Sequence, residues 1–237
     1  MKKMMRRGTM TVLALLLASF ALTAWAAEEA KPAAAETKTV APAPEEDPVT
    51  GEAAASILSA YIWRGQELSR HSVVIQPSAT IAYKGVSLNV WGNLDTHPYA
   101  AGTDAHASNL TETDLTLSYT HKFGIVSVGA GYIYYGLHGA APNGTDLMDS
   151  QEIFATVSVN TLLTPTLTVY KEIDHYHQWY ATLGISHTFA LHDRVGLKLA
   201  GQISYLKSED ETTYPKFDSN SLATTDKFNN FHDAVVS

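Results

Sequence analysis

From Ala53 onward the chain alternates apolar and polar residues in segments of about ten, with no long apolar run and no 3.6-residue period. Successive side chains of an extended strand point to opposite sides, so this pattern predicts strands with two chemically different faces. In residues 73–84, Val73, Ile75, Ala79, Ile81 and Tyr83 oppose Gln76, Ser78 and Thr80; in 86–95, Val86, Leu88, Val90 and Leu94 oppose Ser87, Asn89, Asn93 and Asp95. Residues 113–121, 126–134, 152–160 and 195–205 repeat the pattern. Strands near 56–65, 166–174 and 178–189 complete nine, and 231–237 opens a tenth.

A soluble sandwich has the same period but turns its apolar face inward. Two further features favour an antiparallel up-and-down transmembrane β-barrel. Connections near 84–85, 121–124, 161–165 and 191–193 are short, whereas those near 66–71, 96–110, 137–150 and 207–228 are mostly longer and polar, with 174–177 the brief member of that set. Turns at one end and loops at the other is the outer-membrane arrangement, turns periplasmic and loops extracellular. Aromatics also fall at strand ends: Tyr83, Tyr119, Phe123 and Phe189 beside turns, and Tyr61, Trp63, Tyr132, Tyr134, Trp179 and Tyr205 toward loops. Two such bands suit a membrane's interfaces, because Tyr and Trp join an apolar body to a polar tip.

The N-terminus supports export. Lys2, Lys3, Arg6 and Arg7 precede an apolar stretch over 10–22 and a small-x-small Ala24-Trp25-Ala26, the organisation of a cleaved signal peptide at 1–26. Residues 27–52, rich in Ala, Pro and Glu, bury too little to offset ordering and read as a disordered periplasmic linker. Residues 53–237 form the barrel domain. With four of the 16 basic residues in the leader, twelve remain against 24 acids, a mature charge near −12 that argues against a nucleic-acid partner. There is no cysteine, and a hydrogen-bonded barrel needs none. Nine complete strands are odd where bacterial single-chain barrels are usually even, and the chain ends without a terminal aromatic strand, so the expectation is a barrel lacking its last C-terminal strands.

Tyr61-Ile62-Trp63-Arg64-Gly65, Gln76-Pro77-Ser78, Asn89-Val90-Trp91-Gly92-Asn93, Glu112-x-Asp114-Leu115-x-Leu117-x-Tyr119, Gly131-Tyr132-x-Tyr134-Tyr135 and Ser186-His187-Thr188-Phe189 occur in this order. Together they resemble the TorF-type porin family of Gram-negative outer-membrane barrels. The resemblance runs across nearly all of 53–237 and implies a porin in the cell outer membrane, with no established substrate or reaction. The partners expected of such a barrel are outer-membrane lipid, lipopolysaccharide and, during biogenesis, the barrel assembly machinery.

With the apolar faces toward lipid, the polar alternates line a lumen. Asp95, Glu112, Asp114, Glu152, Glu172 and Asp174 then gather at the loop-end rim with Arg64 at the same level. An acidic pore mouth favours cations; the competing reading is a neutralising network in which Arg64 and Lys171 pair with these acids and plug a narrow barrel. Asp174-His175-Tyr176-His177, supplemented by His71 or Asp95, is the best metal candidate, but the spacing fixes no third ligand, and two solvated loop histidines explain it better. Ser186 and His187 are adjacent in a strand and face opposite ways, so they form no nucleophile–base pair, and no Gly-x-Ser-x-Gly elbow is present. The sequence thus predicts no catalytic residue, metal or cofactor. It predicts passive diffusion of small hydrophilic solutes or ions, with a non-conducting structural or adhesive barrel as the alternative and a lipid-modifying barrel enzyme behind it.

Overall fold

The computed structural model describes residues 48–69, 71–99, 109–140, 147–192, 195–210, 214–218 and 222–237. The expected signal peptide, linker residues 27–47 and parts of the loops at 96–110, 137–150 and 207–228 lie outside them. The described residues contain fourteen strands: β1 Thr50–Leu58, β2 Ile62–Trp63, β3 Gln66–Glu67, β4 Val74–Tyr83, β5 Val86–Asp95, β6 Leu110–Phe123, β7 Val126–Leu137, β8 Ser150–Val159, β9 Thr166–Glu172, β10 Gln178–His192, β11 Val195–Ser208, β12 Pro215–Phe217, β13 Ala223–Lys227 and β14 Asn229–Val236. There is no helix among the described residues.

Ten strands form one antiparallel sheet in the order β1-β4-β5-β6-β7-β8-β9-β10-β11-β14. Each main strand pairs with the next in the chain, as an up-and-down meander requires. β2–β3 and β12–β13 are separate small hairpins. β1 and β14 stand at the two ends of this order and do not pair with each other, so the sheet is not closed.

The segment expected as one strand over 56–65 divides in two. β1 begins at Thr50, inside the stretch read as linker, and ends at Leu58. The chain then leaves the sheet and folds back as β2–β3. Tyr61 and Trp63 therefore leave the strand-end positions expected of them: Tyr61 is buried against Trp91 and Trp63 meets Tyr135 edge-on.

Side-chain burial is inverted relative to a water-soluble domain. Ile81, Leu88, Leu115, Leu117, Ile153, Leu183, Leu199 and Ile203 are all exposed, while Asn93, Glu112, Glu152, Thr168, Glu172, Gln178, Thr182 and Ser204 are buried. Among the described residues the buried apolar set is only Tyr61, Val74, Tyr135, Ala140, Tyr180 and Leu206. A hydrophobic core of the ordinary kind is absent from this set, and the apolar surface lies on the outside.

The sheet curls around the β2–β3 hairpin. Residues 61–64 touch Trp91 on β5, Tyr135 on β7, Glu152 on β8, Tyr170 on β9, Tyr180 on β10 and His232 on β14. In a flat sheet with strands about 4.8 Å apart, β5 and β14 would be more than about 30 Å from each other, too far for one short hairpin to reach both.

An interior row runs across four strands. Gly131, Phe154, Tyr170 and Tyr180 are directly opposite one another in successive registers, with ring centroids 5.7 Å and 6.1 Å apart along Phe154–Tyr170–Tyr180. Gly131 is required there because a Cβ would lie 2.6 Å from both the Leu117 carbonyl and the Phe154 ring. Gly131→Val is expected to cost about 1–3 kcal/mol by overpacking, read as a lower thermal midpoint of the refolded protein. An unchanged midpoint would show that the ring moves aside freely.

Candidate functional site

The interior of the curled sheet holds the polar chemistry, and the β2–β3 hairpin organises it. Arg64 and Gly65 both have positive φ, 47° and 74°, and connect Trp63 directly to its partner Gln66. This is the two-residue turn whose twist matches a β-hairpin, and Gly supplies the second left-handed position without steric cost. Lys84-Gly85 at the β4–β5 turn has the same geometry, with φ of 48° and 84°.

The turn buries the Arg64 guanidinium inside the curled sheet. It binds Glu152 in a bidentate pair, Nη1 to Oε1 at 2.8 Å and Nη2 to Oε2 at 2.6 Å. Both side chains are almost fully buried, 6% and 1% exposed. Tyr135 donates a further hydrogen bond to Glu152 Oε2 at 2.8 Å. The guanidinium lies over the rings of Tyr180, Trp63 and Tyr170 at 4.2, 4.5 and 5.2 Å, and such contacts strengthen when water is excluded. From the far edge of the sheet, His232 Nε2 donates to the Arg64 carbonyl at 2.9 Å and Tyr180 donates to Asp233 at 2.9 Å. The hairpin is thereby tied to β8, β10 and β14 at once.

The other acids expected at the rim occupy distinct surroundings. Asp95 is buried and accepts the His97 N–H at 2.8 Å. Glu112 and Asp114 lie within hydrogen-bond reach of each other, with the Tyr61 hydroxyl on Glu112. Asp174 accepts from Gln151 at 3.0 Å. Lys171 pairs with Glu209, outside this interior group.

Glu172 organises a loop. Its carboxylate accepts four consecutive backbone N–H groups, from Asp174, His175, Tyr176 and His177 at 2.6–3.0 Å, and the Ser150 hydroxyl at 3.0 Å. This explains why the Asp174–His177 connection can be so brief. Glu172→Gln replaces an acceptor oxygen with an amide that cannot receive these donors, at an expected cost of about 1–3 kcal/mol for buried groups left unpaired. The measurable sign is faster amide exchange at 174–177, and protection equal to wild type would contradict this role.

The adjoining loop is held by Asp149, which accepts the Leu137 N–H at 2.9 Å and the Tyr134 hydroxyl. The Tyr134 hydroxyl, then the Leu137 N–H, hold its carboxyl below the usual aspartate range. A depressed carboxylate contributes stability that is complete above the ordinary aspartate pKa of about 3.9 and lost as pH falls through the lower, folded value. Exchange at Leu137 is therefore expected to stay constant from neutral pH down to that ordinary value once intrinsic rates are corrected, and to accelerate only below it. Acceleration already near neutrality would contradict this anchoring.

Solvent reaches the interior unevenly. Toward the turns, Ser78, Thr80, Asn89, Thr116, Ser118, Thr156 and Ser186 are half-exposed; around the hairpin, Asn93, Asp95, Glu112, Glu152 and Gln178 are buried. The buried level coincides with the hairpin.

His187 lies on the outer face beside Phe189, ring centroids 4.5 Å apart, and its Nδ1 faces the Leu162 carbonyl at 2.8 Å. No group of three or more metal-ligating side chains occurs among the described residues. Sequence reasoning placed Arg64 and Glu152 at one level but missed Tyr135, Tyr170, Tyr180, His232 and Asp233, which surround them. The inward parity of the three tyrosines was readable; the contact with β14 was not. No family model, curated protein or solved structure matches the chain.

Proposed function

We propose that this chain forms an outer-membrane β-barrel of the TorF porin type, a passive channel for small hydrophilic solutes that is closed at its loop end by the β2–β3 hairpin. The observation that carries the reading is the inverted polarity: an apolar outer face around a polar interior that solvent enters from the turn end. In water that outer face would cost about 25 cal/mol for each Å² left exposed, and a hydrocarbon surrounding removes the cost. Nine antiparallel steps separate β1 from β14, so these edges run in opposite directions, and pairing them would close an even-stranded barrel. In lipid, closure is strongly favoured because unpaired backbone groups cost several kcal/mol each. Among the described residues, the buried charges around the hairpin other than Arg64 in its pair are acidic, which favours cations.

Planar-bilayer recording of the refolded protein in a KCl gradient tests this reading. The expected result is small, infrequent openings with a cation-selective reversal potential. Anion preference would overturn the selectivity. A non-conducting structural barrel is the second reading, supported by the depth at which the Arg64–Glu152 pair is buried; absent conductance even after the hairpin is released would favour it.

A further inference from the structure

A cavity of about 490 Å³ lies on the loop side of the hairpin, roofed by the segments around Tyr214 and Phe228. Trp63, Tyr135, Tyr176, Tyr214 and Phe228 give it aromatic walls. The size is that of small-molecule sites, which are mostly apolar with a few placed polar groups.

The polar groups of the lining sort by chemistry. Several of the donors are already committed: Tyr135 to Glu152, Tyr176 to the Met148 carbonyl, Ser150 to Glu172, Gln66 to the Tyr214 oxygen, and His232 Nε2 to the Arg64 carbonyl. One acceptor is not. Gln178 lines the cavity and is 1% exposed, yet its Oε1 meets no hydrogen-bond donor among the described residues. Glu112, also in the lining, accepts the Tyr61 hydroxyl but has no basic partner among them, since Arg64 is engaged by Glu152. A buried acceptor without a donor costs about 1–3 kcal/mol, and a ligand that supplies the donor recovers it.

We propose that this cavity binds a compact organic ammonium ion carrying an apolar body. The aromatic walls receive the body and the face of the cation, Gln178 Oε1 accepts an N–H, and Glu112 supplies the countercharge. An anion would meet Glu112 unfavourably, and a neutral apolar molecule would leave Gln178 unsatisfied. This site stands whether or not the lumen conducts, and its test needs no conductance.

The probe is 2-phenylethylamine, a cation at neutral pH, titrated calorimetrically into the full chain refolded in a non-ionic detergent, with protein-free micelles subtracted. It is expected to bind at least tenfold more tightly than 2-phenylethanol, which lacks the charge, or ethylamine, which lacks the ring. Glu112→Gln and Gln178→Leu are each expected to weaken it about tenfold, the equivalent of 1.4 kcal/mol. Phe228→Ala, in a connecting segment outside the sheet, is expected to weaken it several-fold and serves if the strand variants do not fold. Equal binding of the alcohol, or unchanged affinity in Phe228→Ala or in folded Glu112→Gln, would overturn the proposal.

Discussion

Arg64→Met is expected to convert rare openings into frequent ones while lowering the stability of the refolded protein. Removing one partner of a buried ion pair strands the other, here Glu152 at 1% exposure, and typically costs about 3–5 kcal/mol. At 1.4 kcal/mol per factor of ten, the smaller figure moves the ratio of released to docked hairpin by about 100-fold. The stacking of the guanidinium on Tyr180, Trp63 and Tyr170 is lost as well. The double variant Arg64→Met, Glu152→Leu is expected to recover stability and infrequent openings, because paired apolar side chains of similar volume can replace a buried ion pair without penalty. Openings as rare in Arg64→Met as in wild type would mean that the hairpin does not close the lumen.

The second large effect concerns the outer face. Leu117 lies between Leu88 and Tyr132 in the sheet and is 51% exposed, while its neighbour Thr116 points inward between Asn89 and Ile133. Leu117→Arg is expected to cost about 2–4 kcal/mol near a bilayer midplane and to reduce insertion into vesicles, whereas Thr116→Arg, one residue away, places its charge in the polar interior and inserts normally. A water-exposed face would reverse the sense of this comparison, since replacing an exposed Leu with Arg in water is neutral or improves solubility. Folding yields in lipid vesicles, measured for the pair side by side, separate the two cases.

The course of the main strands was legible because it depends on local periodicity. Residues 73–84 and 86–95 alternate so regularly that a shift of one residue would turn every apolar side chain to the other face, which fixes register together with the two-residue Lys84-Gly85 turn. The hairpin was not legible in the same way. Tyr61 and Trp63 satisfy the rule for aromatics at strand ends, and only the departure of the chain after Leu58 sends them inward. A signal was nonetheless available, since Arg64-Gly65 repeats the basic-residue–glycine pair that marks the β4–β5 turn. The Arg64–Glu152 pair joins residues 88 positions apart, and no local pattern specifies which of several inward acids the guanidinium meets. Equally, the four N–H groups gathered on Glu172 are a property of loop conformation, not of residue type. The β12–β13 hairpin went unread within the polar 207–228 stretch because its strands are short and rich in Thr, Asp and Lys, without an apolar face to alternate.

The alternating faces of this sheet are expected to meet two different media. The sequence contains no cysteine, so single cysteines introduced along β6 can each carry one nitroxide label. In lipid vesicles, labels at Leu115, Leu117 and Tyr119 are expected to be relaxed by oxygen dissolved in the bilayer. Labels at Thr116 and Ser118 are expected to respond instead to a water-soluble nickel chelate, giving two accessibility profiles of period two in opposite phase. Equal access of the aqueous reagent to both sets, with no preference for oxygen at the apolar positions, would contradict it.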